Sequence, residues 1–244
     1  MQVFHIRAVV LRQTKYGDTS LIVSAYTDLF GIQSYLIKGV RQSSKKSAGR
    51  AMYFQPGSIL DMEVYHSEFK QLQFVKEYQW AYVYRQLFTD VVKHAVAMYM
   101  IEILQHSLKQ PEANPEMFAL IAESLQELDM ADDAVAANLP LYFTLKLCAE
   151  LGFQIAGDLS GDIFDLKEGC FTSSLPDHPY YIDGTAAATT AAIIKAGAIA
   201  ELGSIASNRV QRREMLQAYQ TFMALHIPDF GELRSWPVLQ EVLG

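Results

Sequence analysis

The chain has 244 residues, half of them hydrophobic and 19% charged, so it can bury a sizeable core and is not of disordered composition. No apolar run approaches the ~18 residues of a membrane span, and two cysteines without an export-like N-terminus predict a cytoplasmic protein with neither disulfides nor membrane association. The formal charge of −7 argues against a uniformly basic nucleic-acid binder, but it is unevenly spread. Residues 1–50 hold eight Lys/Arg against two acids, residues 51–80 are slightly acidic, and residues 81–244 hold ten Lys/Arg against 21 acids. Such asymmetry fits a polyanion-binding module joined to something else, or equally a chance imbalance of solvated faces.

Val3–Arg12 is rich in β-branched and apolar residues and predicts a first strand. Gly17-Asp18 marks a turn, Leu21–Thr27 a second strand, Asp28–Gly31 another turn, and Ile32–Lys38 a third strand with alternating faces. Gly39–Arg50 almost lacks large apolar residues. Pro56-Gly57 leads into a fourth strand, Ser58–Tyr65, and Gln71–Tyr78 reads as a fifth. Five short strands in about 80 residues predict a small barrel, an OB-fold first and an SH3-like barrel as the alternative. After Trp80 the period changes: Tyr84, Leu87, Phe88, Val91, Val92, Ala95, Met98 and Tyr99 recur every three or four residues, predicting a helix to about Lys109. Asn114-Pro115 opens a second helix to Asp129, and Leu139–Leu151 is a third. The Gly-, Pro- and Asp-rich stretch 153–184 reads as an irregular insertion. Thr185–Leu202 and Arg209–His226, the latter capped by Asn208, predict further helices, and Glu232–Leu243 a short last one. The class is therefore α+β: a barrel domain over 1–80 and a helical domain over 81–244.

The strongest candidate for chemistry is the inter-strand segment Lys38-Gly39-Val40-Arg41 with Ser43-Ser44-Lys45-Lys46-Ser47-Ala48-Gly49-Arg50. Its cations can neutralise phosphates while hydroxyls and amides add hydrogen bonds. Arg12 and Lys15 extend the patch, and Tyr16, Tyr26, Tyr35, Tyr53 and Phe54 are candidates to stack on bases, although any one of them reads first as a core residue. Arg209, Arg212 and Arg213 fall at helical spacing on one face in an acidic region; they suit an acidic partner, or simply a solvated face paired with Glu201 or Glu214. Catalysis finds no motif: no phosphate loop, no nucleophile elbow, no paired metal-ligand spacing among six His and two Cys. Glu102, beside Met98 and Tyr99 on the apolar side of the first helix, needs a structural partner.

In order along the chain, Ala8-Val9-Val10-Leu11-Arg12, Tyr16-Gly17-Asp18, Thr27-Asp28 with Gly31, Lys38-Gly39-Val40-Arg41, Gln55-Pro56, Leu60-x-x-Glu63-x-Tyr65, Tyr99-Met100-Ile101-Glu102-Ile103-Leu104 and Leu233-Arg234-Ser235-Trp236-x-x-Leu239 resemble the RecO family of DNA-repair and recombination-mediator proteins. The resemblance implies an OB-fold that binds single- and double-stranded DNA and a helical domain without catalytic function. It also implies strand annealing and help in loading RecA onto DNA coated with single-stranded-DNA-binding protein (SSB). RecR and the acidic C-terminal tail of SSB are the implied partners. The DNA role carries over to Lys38, Arg41, Lys45, Lys46 and Arg50. Many members carry a four-cysteine zinc motif near the stretch 153–184; this chain keeps only Cys170 there, so no metal or other cofactor is expected. An RNA-binding OB protein and a protein-interaction adaptor are the rival readings.

Overall fold

A computed structural model describes residues 2–41, 49–108, 112–153, 155 and 158–243. Backbone contacts divide the chain into two units: Met1–Tyr84 with Leu108–Glu123, and Arg85–Ser107 with Ser124–Gly244.

The first unit is a closed, OB-like barrel of strand order β1-β2-β3-β5-β4, built from β1 (Gln2–Tyr16), β2 (Ser20–Thr27), β3 (Gly31–Ile37), β4 (Ile59–His66) and β5 (Leu72–Trp80). β1 is longer than its apolar run suggests. Its first half pairs with β4 and its second half with β2, so one strand serves both neighbours. A bulge between Val10 and Arg12 lets it bend. Antiparallel pairs make every contact except β3 with β5, which meet in parallel over Ser34–Leu36. The interior is filled by alternating residues of all five strands, among them Ile6, Val10, Val23, Tyr35, Leu60 and Val64. Between β3 and β4 a 3₁₀ turn, Arg50–Phe54, drops Phe54 into this core. The β2–β3 turn is fixed by the Thr27 hydroxyl, which donates to the Gly31 carbonyl and accepts from the Phe30 amide, both at 3.0 Å.

The second unit holds α1 (Val91–Ser107), the second half of α2 (Pro115–Met130), α3 (Asp133–Glu150), α4 (Gly184–Lys195), α5 (Arg209–His226) and α6 (Trp236–Val242). α3 is buried nearly all round, as expected of a central helix. It begins six residues before Leu139 because Asp132 caps it, accepting from the Val135 amide at 2.9 Å. α1 starts at Val91, not Tyr84. The amides of Arg85, Gln86 and Leu87 all donate to the carboxylate of fully buried Asp129, and Asp90 caps the helix through the Lys93 amide. The stretch 153–184 is not wholly irregular. It carries β6 (Ile163–Asp165), β7 (Cys170–Thr172) and β8 (Tyr181–Asp183) in one antiparallel sheet of order β7-β6-β8. The expected helix over 185–202 breaks at Ala196 and resumes as a 3₁₀ turn. Asn208 forms a full capping box with Gln211 at the start of α5. Glu102 finds its partner in the Leu233–Leu239 motif: it accepts from the Arg234 amide and from the amide and hydroxyl of Ser235. Burial works to raise its pKa, but these hydrogen bonds outweigh it and hold the carboxyl below its ordinary value.

Candidate nucleic-acid interface

The β1 bulge decides which side chains leave the barrel. Past it, Gln13 pairs with core residue Val23, so Arg12, Thr14 and Tyr16 point outward with their partners Ser24, Ile22 and Ser20. Cross-strand register then carries two outward rows over the sheet. One runs Arg12, Ser24, Ser34, Leu72; the next runs Thr14, Ile22, Leu36, Phe74, Tyr65. Arg12, Lys15 and Lys38 are exposed. Arg41 ties the segment after β3 to the β1–β2 turn: its amide donates to the Thr19 carbonyl at 3.0 Å and its guanidinium to the Gly17 carbonyl at 3.1 Å. That crossing gathers Lys15, Tyr16, Lys38 and Arg41 at one end of the barrel. Arg50, exposed, opens the 3₁₀ turn. Lys45 and Lys46 lie outside the described residues.

The positive region has a counterpart of opposite sign. His5 and Arg7 of β1, Asp61 and Glu63 of β4, and Glu77 of β5 line a trough of about 520 Å³. There Glu63 pairs with Lys76 at 2.7 Å and faces His5 at 3.7 Å. Carboxylates outnumber cations along this stretch, and the Arg12–Lys38 side carries the opposite sign.

The aromatic candidates divide. Tyr26, Tyr35 and Phe54 are core residues, 2%, 0% and 0% exposed, and cannot meet a base. Tyr53 is half-buried and stacks on Trp80 at 4.6 Å. Tyr16 alone of the five is well exposed. Two aromatics absent from that set, Tyr65 and Phe74, stand in the outward row, paired with each other across β4 and β5.

In the helical unit the three arginines separate. Arg212 turns inward, donating to the Ser207 carbonyl at 2.6 Å and reaching the Leu243 carbonyl at 3.4 Å, with burial lowering its pKa. Arg209 and Arg213 instead line a trough of about 720 Å³ with Leu166, Tyr180 and Tyr181. The Gln240 amide, oriented to satisfy its neighbours, accepts from Arg213 Nε at 2.9 Å and Trp236 Nε1 at 3.2 Å.

A four-thiolate zinc site does not fit these residues. The chain has two cysteines. Cys148 is buried in α3, where burial pushes its thiol up to about 12, and Cys170 is also raised, first by burial and then by Asp165 and Glu168. Other contacts hold the β6–β8 sheet. Phe164 stacks on Phe171 at 5.0 Å, His178 faces the Asp165 carboxylate at 3.4 Å, and Gly161 lies so close to the Thr172 backbone that a Cβ would sit 2.7 Å from its nitrogen.

Comparison with known proteins covers nearly the whole chain. Residues 1–84 match the family model described as "Recombination protein O N terminal", and residues 89–237 match "Recombination protein O C terminal". Proteins named DNA repair protein RecO are similar throughout. That of Christiangramia forsetii is 30% identical over 241 residues, 98% of this chain and 99% of the relative. Those of Phocaeicola vulgatus and Bacteroides fragilis are each 30% identical over 96% of both chains.

Proposed function

This chain belongs to the recombination protein O family, and from that premise we propose that it acts in recombinational DNA repair by binding DNA through its barrel. In this reading it anneals complementary strands and helps load RecA onto SSB-coated single strands, without making or breaking covalent bonds. The observation that carries the reading is the gathering of Arg12, Lys15, Lys38, Arg41 and Arg50 on one side and end of an OB-like barrel, in a chain that is acidic elsewhere. Lys and Arg contacts replace condensed counterions on each strand, which lowers the repulsion between two strands brought together. Tyr16 and the outward row add surface on which unpaired bases can rest.

The Arg209–Arg213 trough suits the acidic tail of SSB. Two exposed guanidiniums supply charge-assisted hydrogen bonds, and Tyr180, Tyr181 and Leu166 supply an apolar floor. RecR is the further partner of this reading. The test is annealing of complementary oligonucleotides pre-coated with SSB: the protein should accelerate duplex formation, and an unchanged rate at saturating protein refutes the proposal.

A further inference from the structure

On β5 the polarity of the sequence and the direction of the side chains are at odds. Gln73 is fully buried: its side chain accepts from the Ser67 amide and donates to the carbonyls of Ser67 and Lys70, pinning the β4–β5 turn from inside. Its neighbour Phe74, which hydropathy alone would send inward, is turned out. A bulge at Lys76, opposite Glu63 and Val64, keeps Val75, not Phe74, against the core. The outward Phe74 is registered with Leu36 on one side and Tyr65 on the other, so an apolar and aromatic strip crosses the narrow parallel junction of β3 and β5. This strip floors a trough of about 500 Å³ whose other lining includes Lys38, Arg50 and Lys76. Lys38 Nζ lies 5.1 Å from the Phe74 ring centroid, and Lys76 is held by Glu63.

We propose that this trough is a subsite for unpaired nucleotides, in which one base stacks on Phe74 beside Tyr65 while Lys38 and Arg50 hold the flanking phosphates. The proposal rests on the DNA-binding reading above and adds a preference to it. An aromatic face rewards a base only when that base is out of a duplex stack, whereas the cations serve either form of DNA. The exposed ammonium–ring contact of Lys38 is weak enough for a base to displace, leaving Lys38 beside the phosphate that arrives with it.

The test uses the full chain and three fluorescent probes of equal length: single-stranded oligo-dT, the same backbone with abasic sites, and a duplex. Phe74→Leu, which keeps apolar bulk and removes the ring, should weaken oligo-dT binding on the order of ten-fold and leave the abasic strand and duplex unchanged. Phe74→Tyr should restore the oligo-dT affinity. Equal loss on all three probes, or no loss on oligo-dT, overturns the subsite while leaving the broader reading intact. A wild-type protein that binds none of the three overturns both.

Discussion

Replacing Asp129 with Ala removes the acceptor that organises the entry to α1. Its carboxylate takes the Arg85 amide on both oxygens at 2.9 and 3.1 Å, and the Gln86 and Leu87 amides at 2.7 Å each. Asp129 and Leu87 are fully buried, whereas Arg85 and Gln86 carry exposed side chains. An orphaned buried amide costs ~1–3 kcal/mol, and amides that water can reach cost less, so about 3–5 kcal/mol is expected for the set. Lys93 adds to this, since its ammonium donates to the Asp129 carbonyl and the Gln86 side chain and depends on both staying in place. For a chain of this size that loss corresponds to a Tm lower by roughly 6–20 °C. Trp80 and Trp236 lie in different units, so urea unfolding followed by Trp236 fluorescence in a Trp80→Phe background reports on the helical unit. A change below about 1 kcal/mol would mean that Asp129 does not hold these amides, because three amides cannot lose a shared buried acceptor so cheaply.

Gly31→Ala should destabilise the barrel by ~2 kcal/mol or more, read by urea unfolding on Trp80. Its φ of +60° is strained for alanine, and the new Cβ would collide with the Glu112 backbone carbonyl; unchanged stability would contradict this packing. Glu102 has a folded-state pKa below its ordinary 4.5, so the unfolded chain binds more protons in that range. Its contribution is present above pH about 4.5 and is lost as pH falls through the folded value; Glu102→Gln should flatten the acid limb of stability against pH, and an identical limb would refute the assignment. Arg213→Glu should abolish binding of an acidic SSB-tail peptide in a fluorescence titration, while Arg212→Lys should act mainly on stability; a peptide affinity untouched by Arg213→Glu removes the docking trough from the account.

Much of the barrel was legible in the sequence because half-buried strands alternate and glycine turns separate them. Asn208 and Asn114 announced their helices for an equally local reason: a cap is read from its own side chain and the next turn. What escaped was long-range. The apolar spacing from Tyr84 suggested helix, yet the amides of 85–87 belong to a carboxylate some forty residues on. The sheet in 163–183 has three-residue strands, too short for alternation to register. At the interface, charge clustering pointed to Lys38 and Arg41, but aromatic candidates could not be sorted by type. Tyr35 and Phe54 went to the core, and Phe74 came out, because a bulge at Lys76 within β5 and a buried Gln73 set the facing of that strand. Neither feature has a signature in composition.

If the barrel's cations bind DNA, the dependence of affinity on salt counts the phosphates they neutralise. Single-stranded affinity should fall with log[salt] by a slope near −0.7 for each phosphate neutralised. The Lys45→Glu/Lys46→Glu/Arg50→Glu triple variant, folded as wild type by circular dichroism, should lose most of its affinity and flatten that slope by roughly 2. An unchanged affinity and slope in the folded variant would mean that these cations do not bind DNA.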